Sequence, residues 1–575
     1  MSRISPGLGW FLAFTAVFAV LAGYVFWGCW STSTTFISPD DGAAFFASYG
    51  DVLTSWWNGF LTSGAILPSD VLWSGLLGSP HFCRELRYAS AVYFAALGMA
   101  YFLRGRGLSH FASYGAGLLL AFCGYWLTLF SAGHAGWFVW MTYGVFAFGL
   151  VDRALEGGRV RHWLLLGVTT AWASYRQADL WLLFTVFTGA YFVFRAVVAR
   201  PSWKSFARGV ALSAVVFFLV GAPSFYGALT GALSGRDKQI EESKGSALSG
   251  GEGVSDAEAR WIFVTNWSLP TAETAEFVCP RLNGDTSCPF TLSINNSKGV
   301  RPYTGALGRP YKAKEGNYRQ HSLYVGWVTC LLALAGIVLS VIRPFSHHAT
   351  TPPNHLTTIP PSRSTAVFFA VAAVVFWLFS LGRYCEPVYR LVYMLPFGDY
   401  LRAPVKWHHL TEFCICVLAG FGIAALVQRI EAFAKGRERL ALSLKCVLAA
   451  FVLWGAVDLA VAARRFCAPV DYSKAIQKGC SSQLTVIARQ QFQNPQVAEM
   501  VRRGMIVSVA SWLGNPDAYL VQVLQPIEPP KPAYEQTPGS NPRDAFCPAI
   551  PRSHYEETLC HLQLPHGSNL GLASP

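Results

Sequence analysis

Long apolar segments alternate with short polar connections along most of the chain. Most of these segments approach the roughly 20 residues that an α-helix needs to cross the hydrocarbon core of a bilayer. The pattern therefore predicts an α-helical polytopic membrane protein with about eleven transmembrane helices. The predicted helices lie near residues 9–29, 88–103, 109–130, 136–151, 162–174, 180–198, 208–228, 322–342, 365–382, 407–427 and 443–462.

Lysine and arginine are concentrated in every second connection, which is the pattern of cytoplasmic loops. This predicts a bacterial inner-membrane protein with a cytoplasmic N-terminus and a periplasmic C-terminus. The first apolar segment is longer than a signal-peptide core and lacks a clear cleavage site, so we expect a retained anchor. The basic residues of these connections are Arg104 and Arg106; Arg153, Arg159 and Arg161; Arg200, Lys204 and Arg208; Arg343 and Arg363; and Arg429, Lys435, Arg437 and Arg439.

Composition also indicates a membrane protein. Of the 575 residues, 53% are hydrophobic and only 13% are charged, whereas soluble domains carry about a quarter charged residues. The formal net charge of +13 does not indicate nucleic acid as a partner, because the basic residues stand in short connections beside apolar segments. No Gly-x-x-x-x-Gly-Lys-Ser/Thr sequence occurs, which disfavours an ATP-driven pump.

The chain divides into two predicted regions. Residues 1–463 form the transmembrane domain, with a first outer loop at 30–87 and a large outer loop at 230–320. The first loop is rich in tryptophan and phenylalanine, which favour the head-group layer of a membrane. Residues 464–575 are too polar to span a membrane. Their composition predicts a small extracytoplasmic α/β region with a partly disordered tail.

Nine of the fourteen cysteines fall outside the membrane or at its outer boundary in this topology. Disulfides are expected in an oxidising compartment such as the periplasm, and several of these cysteines enclose short loops. Their connectivity does not follow from the sequence, and Cys29 with Cys83 is one option. The nine are Cys29, Cys83, Cys279, Cys288, Cys385, Cys467, Cys480, Cys547 and Cys560.

Two adjacent carboxylates, Asp40 and Asp41, follow the first apolar segment by about ten residues. An acid at that position meets both water and lipid head groups, so it is a candidate catalytic base or ligand of a divalent metal such as Mg²⁺ or Mn²⁺. A helix cap explains one of the two aspartates well and both of them poorly. We favour Asp41 as the functional one.

Two other outer turns carry candidate substrate-binding residues. His134 ends the sequence Ser-Ala-Gly-His beside a glycine, and Arg176, Gln177 and Asp179 interrupt two apolar helices. A boundary histidine is often only interfacial, and Arg176 and Asp179 could simply neutralise each other.

Arg402 and Lys406 form a basic cluster on an outer connection, against the charge pattern of the other short loops. Arginine binds phosphate through two parallel hydrogen bonds and lysine acts as a compact charge. The cluster, with His409 three residues on, therefore predicts a binding site for a lipid phosphate. The alternative is a basic patch that reaches lipid head groups along its aliphatic stems.

Several short motifs together resemble those of the bacterial YfhO-like membrane proteins, within the GT-C glycosyltransferase superfamily. The similarity covers roughly the first 430 residues. The motifs are, in order, Asp40–Asp41, Ser131–His134, Arg176–Gln177, Ala222–Tyr226, Ser268–Glu273, Cys279–Gly284, Tyr303–Gly305, Tyr324–Gly326, Leu401–Trp407 and Leu418–Gly422.

This resemblance implies a GT-C-like fold and a glycosyltransferase that takes a sugar from a polyprenyl-phosphate carrier to an extracytoplasmic glycan, lipid or protein acceptor. It also implies that an acidic residue of the first outer loop, Asp40 or Asp41, is the base or a metal ligand. Arg402 would then hold the carrier phosphate.

Two other classes remain open from the sequence. A glycolipid transporter or flippase would need charges inside the spans, and most spans lack them, with Glu412 and Asp458 as exceptions. A noncatalytic assembly partner is compatible with the C-terminal region.

Overall fold

The computed structural model describes most of the helical region and parts of the C-terminal region. The described residues are 5–27, 34–36, 80–129, 137–175, 178–222, 225, 255–284, 303–307, 322–342, 363–395, 398–466, 469–471, 480–488, 506–511 and 518–526. Asp40, Asp41, His134, Arg176 and Gln177 lie outside them.

A helix is present at each of the eleven predicted places. The elements are α1 (Pro6–Val25), α2 (Pro80–Gly105), α3 (His110–Phe122), α4 (Gly124–Thr128), α5 (Trp137–Gly157), α6 (Val160–Trp172), α7 (Ala178–Ala199), α8 (Trp203–Ala222), α9 (Asp256–Val264), α10 (Trp327–Ile337), α11 (Arg363–Ser380), α12 (Glu386–Tyr393), α13 (His408–Phe433) and α14 (Glu438–Arg464). The helices α9 and α12 are short additions that the apolar pattern did not predict, and the helix predicted at 109–130 is divided into α3 and α4.

Six of these helices are long and apolar enough to cross a membrane, namely α1, α7, α8, α11, α13 and α14. The helices α3 and α10 are apolar but shorter. These properties are those of a multi-pass membrane protein. The count of eleven spans and the orientation of the termini stay predictions.

The helix α13 forms the centre of the bundle. Together with the turn before it, its apolar window is 89% buried, against 11–39% for the other long apolar helices. Its neighbour α10 approaches so closely that a Cβ on Gly422 would overlap the carbonyl oxygen of Leu332, and one on Gly336 would overlap that of Leu418. Small residues allow this backbone contact between membrane helices.

The helical path is broken where α3 ends. Cys123 is extended, and the short helix α4 follows it. The extended segment 322–326 packs against this break, with the Gly124 N–H donating to the carbonyl of Tyr324 at 2.8 Å. The backbone N–H of Ser322 donates to Thr128 Oγ1 at 2.9 Å. Irregular backbone is tolerated at membrane depth where protein groups satisfy its hydrogen bonds.

That extended segment corrects the predicted helix at 322–342, which begins at Trp327 and ends as a π-helix, Val338–Ile342. Apolar composition alone does not separate a buried extended segment from a helix start. Likewise the helix predicted at 208–228 ends at Ala222 as α8.

Five strands complete the described fold. The strand β1 (Thr34–Phe36) pairs antiparallel with β2 (Pro469–Asp471). The strands β3 (Cys480–Ala488), β4 (Ile506–Ser511) and β5 (Ala518–Pro526) form an antiparallel sheet in the order β3-β5-β4. The β1–β2 pair holds the chain just after α1 beside the chain just after α14, so both leave the bundle at one end. Helices in the C-terminal region stay a prediction.

The disulfides expected from the cysteine spacing are not supported. The cysteines whose side chains the structure describes carry free thiols. They include Cys279, which is exposed, and Cys385, which is half-buried. Cys123 and Cys416 approach to 3.6 Å between sulfurs inside the bundle without bonding. Cys29, Cys288, Cys467, Cys547 and Cys560 lie outside the described residues, as do the side chains of Cys83 and Cys480.

We expect Gly422→Val to destabilise the bundle, because the new side chain must separate α10 from α13. Overpacking typically costs about 1–3 kcal/mol, and a conflict with backbone leaves little room for relief. Thermal unfolding in detergent measures the effect. Gly189→Val in α7, where a Cβ meets no atom within 4 Å, is the matched control. Equal stability of the two variants would contradict the close contact.

Candidate functional site

Residues 401–407 form a tight turn directly before α13, and we call them the cationic turn. Ala403 has φ of +64°, an unusual conformation for a residue with a Cβ. Its N–H donates to the carbonyl of Val264 at 3.1 Å, and the N–H of Val405 donates to that of Trp267 at 3.0 Å. Pro404 starts the 3-10 helix Pro404–Trp407, where its missing N–H is harmless.

The end of α9 and the loop after it, residues 264–269, also connect the cationic turn to the end of α11. The Leu269 N–H donates to the carbonyl of Ser380 at 2.9 Å, and the Arg383 N–H donates to Ser268 Oγ at 3.0 Å. Gly382 has φ of +49°, and a Cβ there would overlap Ser268 Oγ. These bonds hold residues 264–269, 380–383 and 401–407 in one layer at the end of the bundle.

Two arginines of this layer stack on an aromatic ring of α9. The guanidinium carbon of Arg402 lies 4.5 Å from the ring centre of Phe263, and that of Arg260 lies 5.8 Å from the same ring. Arg260 is buried and lies 4.0 Å from Asp399. Such contacts stabilise a cation without neutralising its charge.

A third arginine in contact with a ring of α9 lies on α12. The Arg390 guanidinium is 4.7 Å from the ring centre of Trp261 and pairs with Glu386 at 2.6 Å. In the same region burial raises the pKa of Tyr393, and the Asp399 carboxylate raises it further. Tyr393 is therefore a neutral phenol at physiological pH.

A large apolar groove opens between α7 and α11 and ends at the cationic turn. Its volume is about 1110 Å³. The Trp407 ring closes this end, 5.6 Å from the ring of Phe376 and 5.0 Å from that of Phe379. Its lining residues are Val186, Phe187, Ala190, Phe194, Arg363, Ser364, Val367, Phe368, Val371, Ala372, Val375, Phe376, Phe379, Leu391, Val392, Leu395 and Trp407.

The polar residues of this lining, Arg363 and Ser364, stand together at the far end. The α11 wall is 18 residues long, about 27 Å at 1.5 Å per residue. The groove is therefore apolar over most of the length of a membrane-spanning helix. Leu391, in its lining, directly follows Arg390, and Trp407 directly follows Lys406.

A polar cluster is buried beneath the cationic turn. His408 and Glu412 are fully buried, with His408 Nε2 3.4 Å from Glu412 Oε1 and 3.3 Å from the carbonyl of Leu323. Both neighbours are acceptors, so Nε2 carries the proton. The backbone N–H of Tyr125 donates to Glu412 Oε1 at 3.2 Å. The cluster joins the start of α13 to α4 and to the extended segment.

Two further buried carboxylates have structural partners. Glu273 accepts from the Tyr303 hydroxyl at 2.7 Å and from the N–H groups of Ala306 at 2.6 Å and Leu307 at 3.1 Å. Glu276 accepts from the backbone N–H of Asn283 at 2.8 Å and from its side-chain amide at 3.0 Å. The Ser268–Glu273 motif thus holds the loop above the bundle in place.

The structure brings part of the predicted site together. Arg402 and Lys406 are half-buried in the cationic turn. His409 lies beneath them, is buried, and packs on the Tyr125 ring at 4.3 Å. Asp179 stands in the first turn of α7, and its side chain is outside the described residues. The roles of all these residues stay predictions.

Three arginines of the site were missed from the sequence, namely Arg260, Arg383 and Arg390. Arg383 and Arg390 belong to the same outer connection as Arg402, so the charge pattern that singled out Arg402 applied to them as well. Arg260 has no comparable signal, because its place beside Phe263 depends on how α9 packs.

Among the described residues, no group of three or more histidine, cysteine, aspartate or glutamate side chains could hold a metal ion. The predicted ligands of Mg²⁺ or Mn²⁺, Asp40 and Asp41, lie outside that part of the chain.

Comparison with known proteins gives weak similarities. No family model and no curated protein matches the chain, so the resemblance to YfhO-like proteins stays a prediction. The archaeal oligosaccharyltransferase AglB from Archaeoglobus fulgidus, solved with an inhibitory peptide and a dolichol-phosphate, aligns with TM-score 0.35 and 10% identity over 91% of this chain. This chain spans 61% of the length of AglB.

ArnT from Cupriavidus metallidurans also aligns with the chain. Its apo structure gives TM-score 0.27 and 15% identity, covering 90% of this chain and 98% of ArnT. Its structure with undecaprenyl phosphate gives TM-score 0.27 and 14% identity, covering 89% and 98%. At such scores a shared fold does not follow.

We expect Glu273→Ala to lower the free energy of unfolding by about 2–3 kcal/mol, since it removes an acceptor from a buried hydroxyl, a buried N–H and a partly buried N–H. Denaturant unfolding in detergent measures it. Glu386→Ala removes a half-exposed carboxylate from a surface ion pair and should cost about 0–1 kcal/mol. A Glu273→Ala variant as stable as the control would contradict the structural role.

Proposed function

We propose that this protein is a membrane glycosyltransferase that takes a sugar from a polyprenyl-phosphate carrier. The observation that carries the proposal is the apolar groove that ends at the cationic turn. An amphiphile with a long hydrocarbon tail and an anionic head matches this combination of surfaces.

The tail fits the groove because all the lining between Ser364 and the cationic turn is apolar. Along this stretch the walls are valine, alanine and phenylalanine side chains of α7 and α11. A tail lying there replaces bilayer lipid, so shape decides the preference more than hydrophobicity does.

The phosphate fits the cations at the mouth of the groove. Arg390 and Lys406 directly adjoin lining residues, and Arg402 stands on the Phe263 ring. Arginine and lysine bind phosphate through charge-assisted hydrogen bonds. In the reaction the same cations stabilise the phosphate as it departs from the sugar.

The acceptor hydroxyl must lose its proton as it attacks the sugar, so the reaction needs a base. It needs no strong acid, because the leaving phosphate is already charged. We assign this role to Asp41, with Asp40 as the alternative, and either could also bind Mg²⁺ or Mn²⁺. The position of β1 supports the assignment. Phe36 ends β1 four residues before Asp40, and β1 pairs with the chain that follows α14.

The end from which that chain leaves is also the end that carries the cationic turn. Arg464, in the last turn of α14, stacks on Tyr24 near the end of α1 at 5.0 Å. Asp458 of α14 accepts from the Tyr324 hydroxyl beside α4, and α4 contacts the start of α13. The end of α1, from which the first loop continues, therefore lies at the same end of the bundle as Arg402.

Turnover of a sugar-charged polyprenyl phosphate by purified protein in lipid tests the proposal. We expect Asp41→Asn to abolish turnover and Arg402→Ala to reduce it about a hundredfold, the order of losing one transition-state contact. Arg429→Ala, at the far end of α13, is the control. Wild-type turnover in both site variants would overturn the assignment. Movement of the lipid between leaflets without turnover would indicate a flippase.

A groove-filling substitution tests the tail site separately. We expect Ala190→Trp, on the α7 wall, to weaken carrier binding while the chemical step stays unchanged, so KM rises with little change in kcat. Ala211→Trp, exposed on α8 away from the groove, is the matched control. Equal KM values for the two variants would exclude the groove as the tail site.

A further inference from the structure

A network of buried charges lies at the end of the bundle opposite the cationic turn. Asp152 is fully buried and accepts from Arg195 Nε at 2.6 Å and from the Tyr191 hydroxyl at 3.0 Å. Arg106 lies 3.6 Å from the same carboxylate and donates to Thr365 Oγ1 at 3.2 Å. The network ties α2, α5, α7 and α11 together.

Glu156, one turn beyond Asp152, carries this network to the surface. Its Oε1 pairs with Arg106 at 3.2 Å and with Arg195. Its side chain is 48% exposed. Both ion pairs use Oε1, and Oε2 contacts no donor among the residues that the structure describes. Two arginines thus hold a carboxylate in a fixed position with one oxygen outward.

That carboxylate lines a cavity of about 600 Å³. The polar part of the wall is Glu156, Arg195 and the hydroxyls of Ser202 and Ser205, and the apolar part is aliphatic. Gly158 has φ of +57°, and a Cβ on it would stand 3.3 Å from Ser205 Oγ. The absence of a side chain at this position therefore keeps the cavity open beside Ser205. The lining residues are Leu155, Glu156, Gly157, Gly158, Arg195, Val198, Ala199, Pro201, Ser202 and Ser205.

The cavity lies at a boundary between apolar and polar surface. The helices α5 and α7 end at it and α8 begins beside it. Val197, Val198 and Trp203 are exposed large apolar side chains next to it. Tryptophan favours the level of lipid head groups. A ligand in this position meets water at its polar end and lipid at its apolar end.

We propose that this cavity binds a phospholipid whose head group carries a primary ammonium, as in phosphatidylethanolamine. The ammonium donates to Glu156 Oε2, and the phosphate accepts from the hydroxyls of Ser202 and Ser205. The acyl chains continue along the exposed valines of α7. This site is separate from the groove mouth at the other end of the bundle, and the proposal does not depend on the glycosyltransferase activity.

The carboxylate selects the ammonium, and the aliphatic wall selects a lipid over a soluble amine. Phosphatidylglycerol has no ammonium for Glu156. Phosphatidylcholine carries a cation without an N–H donor, so it forms no hydrogen bond to Oε2. Soluble phosphoethanolamine has both polar groups and lacks the chains that the apolar wall would contact.

Native mass spectrometry of the full chain, titrated with each lipid in detergent, tests the site. We expect phosphatidylethanolamine to bind more tightly than phosphatidylglycerol or phosphatidylcholine, and soluble phosphoethanolamine not to compete. Glu156→Gln should weaken phosphatidylethanolamine binding about tenfold, which corresponds to about 1.4 kcal/mol. Glu431→Gln is the matched control, since Glu431 is 51% exposed and paired with Lys445 at 2.7 Å at the same end of the bundle.

Because Glu156→Gln also disturbs the arginine network, Ser205→Phe provides a second variant that fills the cavity without removing a charge. This variant should abolish the preference for phosphatidylethanolamine over phosphatidylglycerol and phosphatidylcholine, while its thermal unfolding stays that of wild type. Equal binding of the three lipids, or unchanged phosphatidylethanolamine binding in Ser205→Phe, would overturn the proposal. Competition by phosphoethanolamine would show a soluble-amine site and overturn the lipid assignment.

Discussion

The arrangement of this protein depends on the burial of α13 inside the bundle. A helix surrounded by protein must be apolar or must find partners for its polar groups, because no water is present to replace them. α13 meets this constraint in part, through a glycine contact with α10 and through the pairing of His408 and Glu412 with each other, with the Leu323 carbonyl and with the Tyr125 N–H. His408 Nδ1 and Glu412 Oε2 are buried without a partner among the described residues. The cationic turn precedes this helix directly, so the packing of α13 also fixes the position of Arg402 and Lys406.

The sequence predicted the elements that depend on local composition. Apolar segments placed a helix at all eleven positions, because a membrane helix needs only length and hydrophobicity to form. The charge pattern singled out Arg402 and Lys406 because they stand where basic residues are rare. Both signals are carried by consecutive residues, and neither requires knowledge of which helices touch.

Features that arise from contacts between distant segments did not follow from the sequence. The break at Cys123 exists because segment 322–326 supplies hydrogen bonds about 200 residues away in the chain. The groove depends on how α7 and α11 pack beside each other, and Arg260 belongs to the site only because α9 lies against the turn. The two candidate carboxylates, Asp40 and Asp41, are outside the described residues, so the catalytic half of the site remains a prediction from sequence.

Arginines at the two ends of the bundle differ in how far they contact aromatic rings. At the far end, Arg106 and Arg195 pair with Asp152 and Glu156, and the ion pairs largely cancel their charge. At the cationic turn, Arg402 and Arg390 rest on aromatic faces, which stabilise a guanidinium without neutralising it, and Arg390 also pairs with Glu386. The groove wall between the two ends is apolar, with Arg363 and Ser364 at its far end. The proposed glycosyltransferase fits this wall better than the alternative flippase does, because a head group that moved between the ends would have no polar partner along the apolar lining.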